Sequence, residues 1–181
     1  MLKHFAICCA LPVLLLASSV QAEQTHSWLT NGVPASGDSK MGSNGAFGAM
    51  LVLTDDWPAF LKSWEQPTLG FEFRSAHSIG KGQPLTSAII FTGCQAASSG
   101  NCRVVADFRV LDPAGKTYAE NKGANIWNLA PPPDKILQLS VESLGVSLDP
   151  PDRLGTYVFV ASVTDRVANK TIELRDTFEA R

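Results

Sequence analysis

Asp152-Arg153-Leu154-Gly155-Thr156-Tyr157-Val158-Phe159-Val160-Ala161-Ser162-Val163 is the stretch that decides the fold. From Tyr157 onward, Phe159, Ala161 and Val163 keep one parity, the period of a strand with one buried face. The same period recurs on both sides. Residues 171–179 form a return strand after the turn-like Val167-Ala168-Asn169-Lys170. Residues 103–111 alternate Val104, Ala106, Phe108 and Val110 against Asp107 and Arg109, and Asp112-Pro113-Ala114-Gly115 then spells a type I turn. A further strand begins at Thr117 and Tyr118. Residues 85–92 are almost continuously apolar, and residues 48–53, 69–75 and 136–141 supply shorter runs. Seven or eight antiparallel strands cut by turns predict an all-β sandwich.

The lead-in to the decisive strand resembles the tyrosine corner of immunoglobulin-like domains, with Asp152, Gly155 and Tyr157 as its residues. The resemblance implies that the Tyr157 hydroxyl hydrogen-bonds back across the preceding loop. Phe159 stands where an antibody domain carries its second core cysteine, so the expectation is an immunoglobulin-like sandwich without the inter-sheet disulfide. A wider set of motifs spans about residues 47–179. It comprises Thr54-Asp55-Asp56-Trp57, Gly93-Cys94 with Asn101-Cys102, Asp107-Phe108-Arg109-Val110, Pro113-Ala114-Gly115, Leu154-Gly155-Thr156-Tyr157 and Asp165-Arg166-Val167. Together they resemble a family of uncharacterised exported bacterial proteins with no assigned activity. That resemblance implies an intact domain and brings no catalytic residues.

Residues 1–22 read as a signal peptide: Lys3, an apolar core over residues 5–20, and Val20-Gln21-Ala22 as the cleavage site before Glu23. Pro12 interrupts a core too short for a permanent anchor. Residues 23–46, rich in Gly, Ser, Asn and Thr, read as a flexible arm closed by Gly42-Ser43-Asn44-Gly45, and the sandwich domain is expected over residues 47–181. The chain is therefore expected in the periplasm or outside the cell, with no membrane span after cleavage.

Losing Lys3 leaves 14 of the 15 basic side chains against 17 acidic ones. A mildly acidic balance with scattered signs argues against a nucleic-acid partner. Cleavage also removes two of the four cysteines, leaving Cys94 and Cys102 around a polar loop. In an oxidising compartment this spacing predicts a disulfide closing a hairpin.

One segment breaks the strand period. Asp55-Asp56-Trp57-Pro58 reads as a helix start, and Trp57, Phe60, Leu61 and Trp64 then fall on one helical face. The expected place for this helix is one end of the sandwich, with an aromatic recognition surface as the functional reading. Trp127, just before Pro131-Pro132-Pro133, joins Trp57 and Trp64 as a candidate partner-binding residue.

Catalytic chemistry finds few players. His26 lies in the arm and His77 in a loop, and neither a nucleophile elbow nor a His-x-x-x-His pair is present. Asp165 and Asp176 are unusual acids, Asp176 sharing parity with Leu174 and Phe178, and both read as structural. The expectation is a non-enzyme with no cofactor and no closed metal site: a binding module for a protein partner, its oligomeric state not legible. The alternative is a periplasmic copper-handling protein using His26 in the arm, with Met41 and Met50 as added soft ligands. A weaker alternative is an inhibitor of a secreted hydrolase.

Overall fold

The structure, a computed structural model, describes residues 29–30, 33–34, 40–65, 75–133 and 136–181. In chain order the elements are β1 (Leu29–Thr30), β2 (Val33–Pro34), β3 (Met41–Asn44), β4 (Phe47–Thr54), α1 (Trp57–Glu65), β5 (Ser78–Ile79) and β6 (Pro84–Thr92). They continue with β7 (Val104–Leu111), β8 (Thr117–Trp127), β9 (Gln138–Leu139), β10 (Leu144–Ser147), β11 (Gly155–Asp165) and β12 (Lys170–Ala180). The expected signal peptide, most of the expected arm with His26, and the strand expected at 69–75 lie outside the described residues.

Two sheets face each other. One runs β10-β6-β4-β3, with β9 also paired to β6; the other runs β5-β12-β11-β7-β8. All pairings in them are antiparallel except the short parallel contact of β5 with β12. Consecutive strands β6 and β7 lie in different sheets, as do β10 and β11, which is the Greek-key logic of an immunoglobulin-like sandwich. The alternation read in residues 104–110 is the buried pattern itself. Val104, Ala106, Phe108 and Val110 are sealed in the core while Asp107 and Arg109 stand in solvent. Phe47, Leu51, Leu53, Leu85, Ile89 and Phe91 meet them from the other sheet, with Phe159, Leu174 and Phe178 beside them. Each such side chain, fully withdrawn from water, contributes roughly 1.5–3 kcal/mol, so the core outweighs any single crosslink.

Four expectations are corrected. The sandwich begins before Phe47: β3 pairs with β4 from Met41↔Met50 to Asn44↔Phe47, so residues 41–46 are a hairpin and not the end of an arm. Gly45 at φ 65 ahead of Ala46 suits a two-residue type II′ turn. Gly93 is equally constrained, because a Cβ there would stand 2.0 Å from the Ala46 carbonyl oxygen. Second, α1 does not plug an end of the sandwich; it lies on the outer face of the β4–β6 sheet. Third, Cys94 and Cys102 are bonded, with Cα atoms 6.0 Å apart, but they staple the crossing from β6 to β7 and therefore from sheet to sheet. Fourth, only Gln138–Leu139 of the run 136–141 is strand. Past Leu139 the ladder keeps one backbone bond and replaces the other: Ser140 N–H reaches the Ile89 carbonyl, and the Ile89 N–H is taken by the Ser140 hydroxyl.

Candidate interaction face

The β4–β6 sheet is apolar on both sides. Its central strands β4 and β6 are mostly apolar on both parities, so alternation puts one set inward and leaves another set facing out. Met50, Val52, Ala88, Ile90 and Leu139 form that outer set, a cluster separate from the main core. α1 is the element that covers it. Asp56 caps the helix, its Oδ1 accepting the Ala59 N–H at 3.0 Å, while Thr54 Oγ1 holds the Asp56 N–H. The one-sided stripe then lays Trp57, Phe60, Leu61 and Trp64 on the cluster, with the Trp57 and Phe60 rings stacked at 5.3 Å. Yet no residue of α1 is fully buried. The cover is thin, and four large apolar side chains stay in partial contact with solvent. In the segment around β9, Leu137 is 39% exposed, and Leu129, Ile136 and Val141 are more than half exposed.

The opposite outer face is chemically different. Asp107, Arg109, Glu120, Lys122 and Glu173 surround a shallow depression of about 220 Å³ floored by Val160. Glu120 pairs with Lys122 and Glu173 with Arg175, so the charges are mixed and largely neutralised among themselves. The long edge strand β8 is also closed to further pairing. Its ladder is interrupted opposite Asp107, whose carboxylate takes the Gly123 N–H. Farther along, Val141 N–H bonds the Ile126 carbonyl and Glu142 takes the Asn125 N–H. A bulge, charged side chains and a covering segment are the usual guards of an edge.

The structure brings Trp57 and Trp64 together and places Trp127 apart from them. Trp127 ends β8 and packs on the main core, its ring 6.0 Å from Phe91, while its Nε1 donates to the Ala130 carbonyl at the start of the proline run. Tyr157 donates to the Arg153 carbonyl at 2.9 Å, and its ring stacks on Phe178. Asp152 has a further role that sequence reasoning missed. Its carboxylate accepts the Asp149 N–H and the Tyr118 hydroxyl, which also lies 2.9 Å from the Ser147 carbonyl. Burial first, then the hydrogen bond and charge of Asp152, push the Tyr118 hydroxyl well above the usual phenol range. Burial followed by the charges of Asp152 and Asp112 moves Tyr157 the same way.

Asp165 is completely buried and takes N–H groups from Gln95, Val167 and Ala168, tying the disulfide loop to the β11–β12 turn. Asp176 is placed differently. One oxygen accepts the Thr177 N–H, and the other is buried with no hydrogen-bond partner among the described residues. His77 lies just ahead of β5, its carbonyl accepting the Glu179 N–H. Among the described residues no group of three or more His, Cys, Asp and Glu side chains is placed to hold a metal ion. None of their helices is long and apolar enough to cross a membrane.

No family model matches the sequence. No curated protein matches it either. Among solved structures, a family 123 glycoside hydrolase from Clostridium perfringens, described for glycolipid glycan hydrolysis, aligns at 10% identity and a TM-score of 0.45. That alignment covers 75% of this chain but only 27% of the hydrolase chain. A Niemann-Pick type C2 protein from the Japanese carpenter ant aligns at 8% identity and a TM-score of 0.41, over 72% of this chain and 89% of that one. At these values neither neighbour says anything about what this chain binds or does.

Proposed function

We propose that this chain is an exported, non-catalytic binding module that engages a protein partner through α1 and the adjoining face of the β4–β6 sheet. The observation that carries the reading is the contrast between the two outer faces. One is a solvated mixture of paired charges; the other is an apolar sheet thinly covered by an aromatic helix whose large side chains all remain partly exposed. Contiguous apolar surface of that kind on an otherwise polar molecule marks an interaction site. Half-exposed tryptophans are the residues that concentrate binding energy when a partner completes their burial. The disulfide supports export, since such bonds persist in oxidising compartments.

The experiment is affinity capture from envelope extract with the chain beginning at Glu23. Leu61→Ala and Trp64→Ala, both at partly exposed positions of α1, should each weaken capture of a discrete partner by roughly thirtyfold or more, the effect of losing a binding hot spot. Glu173→Ala on the opposite face should leave it unchanged. Capture insensitive to both α1-face variants would overturn the reading.

A further inference from the structure

We propose that Met41 and Met50 form a two-thioether site for a soft monovalent cation, Cu(I) or Ag(I), on the outer face at the edge of α1. The chain has three methionines, and beyond the expected leader only these two remain. They are directly opposed in the β3–β4 ladder. The Leu51 N–H bonds the Lys40 carbonyl at 2.8 Å, which makes residues 40 and 51 a hydrogen-bonded pair. Met41 and Met50 are then the next, non-hydrogen-bonded pair, where side chains approach most closely, with Cα atoms about 4.5 Å apart.

Such cross-strand positions are ordinarily filled by β-branched or aromatic residues, and β4 itself continues with Leu51, Val52 and Leu53. Two flexible thioethers there are a chemical choice with a consequence: thioether sulfur selects soft metals over hard ones. Met50 is 6% exposed while Met41 is only partly covered, so the pair is buried on one side and reachable on the other. Trp57 and Trp64 pack on the same cluster, so their fluorescence reports on it. Counting histidines and cysteines could not reveal such a site, because it uses neither. It does not rest on the partner-binding reading, and it differs from the copper arm in using Met41 and Met50 without His26.

The test is a titration of the chain beginning at Glu23 with silver nitrate, following its methionine methyl groups by NMR after 13C-methyl labelling. Cys94 and Cys102 are bonded to each other and do not compete. Both methyl resonances should shift together and saturate at one equivalent, with tryptophan fluorescence quenched in parallel, and Cu(I) under anaerobic conditions should do the same. Met41→Leu, a volume-conserving change at a partly exposed position, should weaken binding at least about tenfold with the fold intact. Met50→Leu should do likewise, and His26→Ala should change nothing. Methyl resonances that do not move, or saturation lost in His26→Ala but kept in Met41→Leu, would overturn the proposal.

Discussion

Tyr157 and Tyr118 show how much of this fold rests on two hydroxyls. They are the chain's two tyrosines, their rings meet edge to face at 5.5 Å, and both hydroxyls are spent on the segment leading into β11. Tyr157→Phe keeps the ring and orphans the Arg153 carbonyl. It should lower unfolding stability by about 1–2 kcal/mol in a urea titration; an unchanged midpoint would mean the hydrogen bond contributes nothing. Both phenols are held protonated by burial, with Asp152 adding to it. A group whose native value is raised stabilises the fold below its unfolded value, near 10 for tyrosine, and loses that contribution as pH climbs toward the native one. Spectrophotometric titration of native protein should therefore show phenolate forming at higher pH than in denaturant, where the ordinary curve should return. The corner was legible because a turn, a glycine and a tyrosine on strand parity occur in one short segment. Tyr118 was not, because its partners Asp152 and Ser147 lie about thirty residues away in sequence, and parity carries no information across a loop.

At the level of elements, strands carrying an alternation or a long apolar run were readable, and a short strand without either was not. Residues 104–110 alternate because one side meets the core, whereas β3 is four residues, Met41-Gly42-Ser43-Asn44, with one large apolar side chain, too short for periodicity to detect. Its signal was Gly45, a glycine at the first loop position ahead of an apolar run, which the loop-like composition masked. The helix stripe was correct in sequence and misplaced in space. A stripe shows that a helix has a partner face, and only the doubly apolar β4–β6 sheet shows where that face lies. The cysteines illustrate the same limit, since spacing gave the bond but not that it links two sheets. A short closed loop removes little chain entropy, so the double variant Cys94→Ser with Cys102→Ser should lose about 2–3 kcal/mol yet still fold. Failure to fold at all would show that the crossing depends on the bond far more than loop closure explains.

For the whole molecule, the decisive property is its asymmetry: a charged outer face, a guarded edge at β8, and an apolar outer face under a thin helical cover. Composition alone shows a mild acidic chain and hides this division, because it averages the two faces. Site-specific crosslinking inside the native cell measures its consequence most directly. A photoreactive phenylalanine analogue would be placed at Leu61 on α1 and, in a separate protein, at Glu173 on the opposite sheet. The account predicts a discrete protein adduct from position 61 and none from position 173. An adduct from 173 alone, or none from 61, would contradict it.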